Sequence, residues 1–193
     1  MPRANPSGPA SDAAPARPPI KRAAERIGEV ARELFYRQGI RAVGVDEIVS
    51  RAGVTKPSLY RSFTSKDELA AAYLRGYQAE FRAGCDQAAA DHPHDPRAQI
   101  RAWLERLSES ATQAGYRGCG LTNAAVEYPQ AGHPARVVAE ANKTELRRRL
   151  RELARRLGAR DADALGDGLL LLIEGAYASG QLFGEGGPAG VIA

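Results

Sequence analysis

The sequence predicts an all-α fold in which a small three-helix unit precedes a larger helical unit. Apolar residues recur three or four positions apart from about residue 23 to residue 183, and no stretch alternates apolar and polar residues as strands do. Helix-ending residues interrupt this pattern at Gly39, Gly53, Pro129 and Gly158. A chain of 193 residues is long enough to form both units.

The first segment, residues 1–20, contains mainly Pro, Ala, Ser and Gly and shows no period. Such a composition cannot bury enough apolar surface to offset the entropy of ordering, so we expect a disordered arm. It also lacks the apolar run of a signal peptide. Together with only two cysteines in the chain, this predicts a protein of the reduced cytoplasm.

The next segment predicts three helices. Ile27, Ala31, Leu34 and Phe35 form an apolar stripe on a first helix that ends before Gly39. Two short helices joined by a tight turn follow in residues 44–66, GVDEIVSRAGVTKPSLYRSFTSK. Gly53 suits the left-handed conformation that ends a helix. Thr55 can cap the next helix, and Pro57 lies in its first turn, where a missing N–H has no cost.

The second short helix predicts DNA binding. Leu59 and Phe63 face inward, so its polar and basic side chains remain outside, where they fit a major groove. Charge supports this, since residues 1–66 hold twelve Lys/Arg against six Asp/Glu, whereas residues 67–193 hold fifteen against seventeen. The predicted DNA contacts are Val45, Thr55, Lys56, Pro57, Ser58, Tyr60, Arg61 and Lys66.

Residues 21–81 resemble the DNA-binding domain of TetR-type transcriptional regulators. The matching segments are KRAAERIGEVARELFYRQGI, VDEIVSRAGVTKPSLYRSF and SKDELAAAYL. Gly44 departs from the pattern, because such sequences commonly have Ser or Thr there. The resemblance implies a homodimer that binds a palindromic operator, as a repressor released by a small molecule. It also implies that residues 82–193 form a helical ligand-binding and dimerisation domain.

The later helices are expected at about 67–90, 96–114, 121–128, 134–157 and 161–183. The last two carry leucine stripes, and two copies of each would form a four-helix bundle. The stretch LLLLIEGAYASG is too short to span a membrane, and the central core helix of the domain is an alternative interpretation for it. The predicted dimer contacts are Leu146, Leu150, Leu153, Leu165, Leu169, Leu172 and Ile173.

An apolar cavity with a few oriented polar groups is the usual design of a small-molecule site. The candidate residues are Trp103, Leu107, Tyr116, Asn123, Glu127, Tyr128 and Tyr177, although each could equally be an ordinary core or surface residue. The arginine-rich run at 147–156 lies opposite the leucine stripe, so we expect a solvated face with local Glu145 and Glu152 pairs rather than a second DNA contact.

Residues that would carry enzymatic chemistry are scarce. The chain has no GxSxG, P-loop lysine or HExxH motif, and the separation of Cys85 from Cys119 excludes a CxxC pair. His92, His94 and His133 lack further converging ligands. We therefore expect no enzyme, metal or cofactor. Two alternatives stay open: a redox-sensing regulator in which Arg117 activates Cys119, and a non-specific DNA-binding protein.

Overall fold

The structure, a computed structural model, describes residues 22–193, so the predicted arm at 1–20 lies outside the described residues. Within that range the chain is helical and contains no strand, which confirms the predicted fold class. The helices are α1 (Ala23–Gln38), α2 (Val45–Ala52), α3 (Lys56–Ser62), α4 (Lys66–Asp91), α5 (Pro96–Ala111), α6 (Gly120–Glu127), α7 (Pro134–Arg156) and α8 (Ala162–Phe183). A short 3₁₀ helix at Pro188–Val191 was not predicted.

Side-chain caps fix where the long helices begin. Ser65 accepts a hydrogen bond from the N–H of Glu68 at 3.0 Å and so caps α4. Asp95 and Asp161 cap α5 and α8 in the same way, each at 2.9 Å. The end of α5 lies three residues before the predicted one, and the Thr112 hydroxyl donates to carbonyls of its last turn.

Helices α1 to α3 and the first turns of α4 enclose one apolar core, as the stripe on α1 predicts. Ile27, Ile48, Leu59 and Leu74 are fully buried in it. This core does not end at residue 81. It continues into α6 and the start of α7 through the buried residues Cys119, Leu121, Ala124, Ala135 and Ala139. The predicted domain boundary at residues 81/82 is therefore crossed by continuous packing.

A second core lies between α5, α7 and α8. Helices α7 and α8 lie close together at Gly166, where an added Cβ would stand only 2.7 Å from Arg151 Cα and N. Ion pairs flank this contact, with Arg147 and Arg151 both donating to Asp167. The core itself is built from Ile100, Leu104, Leu107, Leu146, Leu150, Leu153, Ile173 and Ala176.

No helix in residues 22–193 combines the length and the apolar character that crossing a bilayer requires. The arginine run at 147–156 forms local pairs with Glu145 and Glu152, and it also reaches Asp163 and Asp167 on α8. These arginines therefore link α7 to α8 within one subunit. This link is additional to the local pairs that the sequence predicted.

Candidate nucleic-acid interface and cavity

Helices α2 and α3 form a helix-turn-helix. Gly53 ends α2 in the left-handed conformation (φ 60°, ψ 43°), and its N–H bonds back to the last turn. Thr55 then caps α3, with its side chain accepting from the N–H of Ser58 at 3.4 Å. Leu59 is fully buried beneath α3 and fixes which face of this short helix remains in solvent.

The exposed face of α3 carries a network of hydroxyl groups and one guanidinium. The hydroxyls of Thr55 and Ser58 lie 3.1 Å apart, and Arg61 Nη2 donates to Ser58 Oγ at 2.9 Å. Tyr60 is half exposed beside them. Such groups can donate to phosphate oxygens and to base edges, so this face has the chemistry of a DNA-contacting surface.

Lys56 begins α3 and is exposed, but it already has a partner. Its ammonium lies 2.8 Å from Asp46 Oδ1 of α2. The hydrogen bond with that carboxylate raises the pKa of Lys56, so the group stays charged. A phosphate or base that binds Lys56 would therefore compete with Asp46.

Two predicted DNA contacts are less available than the sequence suggested. Val45 is half-buried and packs against the core of the first three helices. Lys66 is also half-buried, and its Nζ donates to the carbonyl of Arg41 at 3.4 Å. Burial lowers the pKa of Lys66 below its ordinary value. An apolar or basic residue type alone does not reveal these contacts with neighbouring elements.

Helix α4 leads from the head, which is formed by α1, α2 and α3, to a cavity of about 250 Å³. Four of the predicted ligand-binding residues line it together: Trp103, Leu107, Tyr116 and Tyr177. The prediction omitted the wall that α4 contributes and the polar residues of α5. The omitted lining residues are Tyr77, Glu80, Phe81, Gly84, Cys85, Arg106 and Ser110. Their spacing of three and four along α4 and α5 was the available signal.

The other three candidates lie elsewhere. Asn123 donates to the carbonyl of Arg117 at 2.7 Å, and Glu127 accepts from the backbone N–H of Arg41. Both line a separate cavity of about 410 Å³ between α1 and α6. Tyr128 stacks on the His133 ring with centroids 3.8 Å apart. The predicted set of seven is therefore divided, because other contacts engage these three side chains, and only that of Glu127 is with a residue distant in sequence.

The predicted dimer contacts require a correction. Leu146, Leu150, Leu153 and Ile173 are at most 5% exposed and belong to the core of the single chain. A leucine stripe looks the same whether it covers its own subunit or a partner, so the sequence could not separate the two.

The outer face of α8 instead exposes Leu165 and Leu172, which were predicted, and Leu171 and Leu182, which were not. Leu169 is half-buried against the core.

The two cysteines are free and buried. Burial raises the pKa of Cys85 to about 11, so this thiol is protonated at neutral pH. The sequence suggested Arg117 as the cation beside Cys119, but the cation at 3.4 Å from its Sγ is Lys143 Nζ. Lys143 also pairs with Glu174. Because Cys119 is only 2% exposed, a redox role would require this region to open.

Among residues 22–193, no three His, Cys, Asp or Glu side chains form a group that could hold a metal ion. His133 has a structural position: its Nδ1 accepts from the N–H of Ala135 at 3.3 Å, and its Nε2 lies 3.5 Å from Asp67.

Comparison with known proteins gives consistent results. The family described as "Bacterial regulatory proteins, tetR family" matches residues 27–73. A TetR-family transcriptional regulator from Streptomyces coelicolor is similar in structure, with a TM-score of 0.80 and 35% identity, over 83% of this chain and 85% of that one. A putative TetR-type regulator from Streptomyces avermitilis gives 0.76 and 36%, over 84% and 87%.

A third relative is the HTH-type transcriptional activator FasR from Mycolicibacterium smegmatis. It is 36% identical over 123 residues, which are 61% of this chain and 55% of that protein. The chain thus spans about half the length of this curated relative.

Proposed function

Because this chain belongs to the TetR family of DNA-binding transcriptional regulators, we propose that it is a homodimeric repressor that binds a palindromic operator and is released by a small molecule. The observation that carries the proposal is the exposed face of α3. There Thr55, Lys56, Ser58, Tyr60 and Arg61 present donors and positive charge on a helix whose opposite face is anchored by Leu59.

Helix α4 supports the proposed response to a ligand. It is one uninterrupted helix of 26 residues, about 39 Å long. Its first turns bury Leu69 and Leu74 in the head, and its later turns line the aromatic cavity through Tyr77 and Phe81. A molecule that occupies the cavity would tilt α4 and so displace the head attached to its start.

Such a displacement would affect DNA binding through geometry. Two recognition helices must stand about 34–36 Å apart to enter successive major grooves on one face of the duplex. A ligand that binds the tilted arrangement more tightly, by about 1–3 kcal/mol, would change operator occupancy roughly 5- to 150-fold.

The second copy would dock on the outer face of α8. Leu171, Leu172 and Leu182 are exposed there, and Gly168 and Gly175 on the same side leave room for a close helix approach. An exposed apolar face of this kind supports the proposal of an association surface. A two-fold arrangement would pair α7 and α8 with their copies in a four-helix bundle.

Selection of bound sequences from random duplex DNA tests the operator proposal. We expect an enriched inverted repeat whose half-sites lie about one helical turn apart or a multiple of it. Binding that falls steeply with salt and does not distinguish sequences would instead favour the alternative of a non-specific DNA-binding protein.

Regulatory polarity needs a separate measurement, because the relative FasR is named an activator. With the selected operator placed over a reporter promoter, we expect expression to fall when this protein is produced. A rise in expression would replace the proposed repressor by an activator and leave operator binding unaffected.

A further inference from the structure

Five of the residues that line the cavity beside α4 are aromatic. Tyr77 and Phe81 of α4, Trp103 of α5, Tyr116 and Tyr177 surround a volume of about 250 Å³. That volume lies just below the usual range of about 300–1,000 Å³ for drug-sized ligands. Aromatic rings pack well against other flat rings. The cavity therefore suits a small planar molecule with one or two rings.

Two donor groups in these walls are unsatisfied within residues 22–193. Trp103 Nε1 and Tyr116 Oη are both buried, and neither has a hydrogen-bond partner within the part of the chain that the structure describes. Burial raises the pKa of Tyr77, Tyr116 and Tyr177, so their hydroxyls stay protonated. Buried donors without partners are unfavourable, and a ligand that supplied acceptor oxygens would satisfy them.

The guanidinium of Arg106 also lines the cavity, from an exposed position on α5. The guanidinium of Arg106 lies across Gly84, with Nη1 and Nη2 at 3.0 and 3.1 Å from the position of an added Cβ. No carboxylate of residues 22–193 forms an ion pair with it. The lining carboxylate of Glu80, in contrast, is already bound in a two-pronged ion pair by Arg32. The local balance of charge is therefore positive.

We propose that this cavity binds a small aromatic carboxylate, whose ring lies among the aromatic walls and whose carboxylate is held by Arg106. A guanidinium matches a carboxylate with two parallel hydrogen bonds, which a neutral amide or alcohol cannot reproduce at the same strength. The inference rests on the proposed function, since it identifies the chemical class of the effector.

An organic cation is the competing class, because aromatic cages also bind ammonium groups. Arg106 would repel such a ligand, and Glu80 could attract it only by giving up Arg32. The indole N–H can only donate a hydrogen bond, and it would have no acceptor on an ammonium group. The observations therefore favour an anion.

Trp103 provides a direct measurement, because it is the only tryptophan in the chain and it lines the cavity. Tryptophan emission of the full-length protein can be titrated without DNA. The probes are hydrocinnamate, its amide hydrocinnamamide and the amine phenylpropylamine, which share one ring and differ in charge. A two-ring acid, naphthylacetate, and its amide extend the series in size.

We expect at least one acid to change the emission and to bind about tenfold more tightly than its amide, as one charge-assisted hydrogen-bond pair would give. Arg106→Met should abolish that preference and Arg106→Lys should keep part of it. Tyr116→Phe should weaken both the acid and the amide. The matched control is Arg101→Met, which removes an exposed arginine from the same helix and should change nothing.

The anion proposal fails if an amide or the amine binds as tightly as its acid, if Arg106→Met retains the preference, or if no acid changes the emission. A separate operator-binding measurement distinguishes this from failure of the proposed function. If an acid binds with the expected preference and DNA remains bound, the chemical class stands and the release mechanism fails. If DNA is released only by compounds of another class, the release mechanism stands and the class is wrong.

Discussion

The carboxylate of Glu127, the last residue of α6, accepts a 2.7 Å hydrogen bond from the backbone N–H of Arg41 in the loop between α1 and α2. The guanidinium of Arg41 returns a bond to the carbonyl of Glu127 at 3.3 Å. Lys66, at the start of α4, donates to the carbonyl of Arg41. Three elements thus meet at one loop residue, which connects the helix-turn-helix with the rest of the chain.

Replacing Glu127 by Ala should loosen that loop. The N–H of Arg41 loses its acceptor, so we expect faster hydrogen exchange of backbone amides in residues 39–44 and a stability loss of about 0.5–1.5 kcal/mol. Glu127→Gln is the control, since its amide oxygen can still accept the bond. Equal exchange in both variants and the wild type would show that the contact does not hold the loop.

Replacing Arg61 by Ala should weaken binding to every DNA sequence. If its guanidinium neutralises one phosphate, the slope of log affinity against log salt should become shallower by about one unit. Fluorescence anisotropy with labelled duplexes at several salt concentrations measures this. Arg97→Ala, which removes an exposed arginine at the start of α5, should leave the slope unchanged. An unchanged slope in Arg61→Ala would exclude Arg61 as a phosphate contact.

Replacing Leu172 by Arg should separate the proposed dimer without unfolding the subunit. The side chain is 49% exposed, so a charge there is hydrated in the monomer but would be buried without a partner in the dimer. Light scattering after gel filtration should give a folded monomer that no longer binds the full operator. Leu150→Ala, in the core, should instead lower the stability by about 2–5 kcal/mol. A soluble Leu172→Arg dimer would refute this surface.

Replacing Asp167 by Asn should lower the melting temperature mainly at neutral pH. Hydrogen bonds from Arg147 and Arg151 hold the pKa of Asp167 well below its ordinary value. Its contribution to stability is therefore complete above the pKa of an unfolded aspartate, about 4, and disappears as the pH falls toward the folded value.

The difference in melting temperature between wild type and Asp167→Asn should accordingly narrow below about pH 4. Glu105→Gln, at an exposed position on α5, is the control for a general loss of negative charge. If the difference in melting temperature stays constant down to acid pH, the ion pairs of Asp167 with Arg147 and Arg151 do not stabilise the fold.

Replacing Gly166 by Ala should force α7 and α8 apart, because the added Cβ would stand 2.6 Å from Arg151 Cγ and 2.7 Å from its backbone. We expect a loss of about 1–3 kcal/mol in urea unfolding. Gly76→Ala in α4, where an added Cβ would meet no atom within 4 Å beyond its own helix backbone and its chain neighbours, should add about 0.5–1 kcal/mol. Two variants of equal stability would contradict the close contact.

The helices and the helix-turn-helix could be predicted from sequence because their signals are local. Gly53, Thr55 and Pro57 act on neighbouring backbone, and the apolar period of α1 directly determines its buried face. The role of the resulting α3 surface in DNA contact remains a prediction.

The residues that line the aromatic cavity, and those that form the core instead of the proposed dimer surface, could be predicted only in part. Both sets depend on contacts between residues far apart along the chain. The period of α4 identifies Tyr77 and Phe81 as inward-facing but cannot reveal that they border a void. Glu127 looks like a candidate ligand-binding side chain until the loop at Arg41 is placed beside it. The sequence likewise could not assign Leu150 to its own subunit.

The continuous core beneath the head limits how the protein can be divided. Leu121 and Ala124 of α6 and Ala139 of α7 pack in the same cluster as Ile27 and Leu59. A fragment that stopped at residue 81 would expose the apolar surface that α6 and α7 cover. A transplant of this head onto another regulator would therefore have to include a matching α6. The DNA-binding part is modular only together with residues about 40 positions beyond its apparent end.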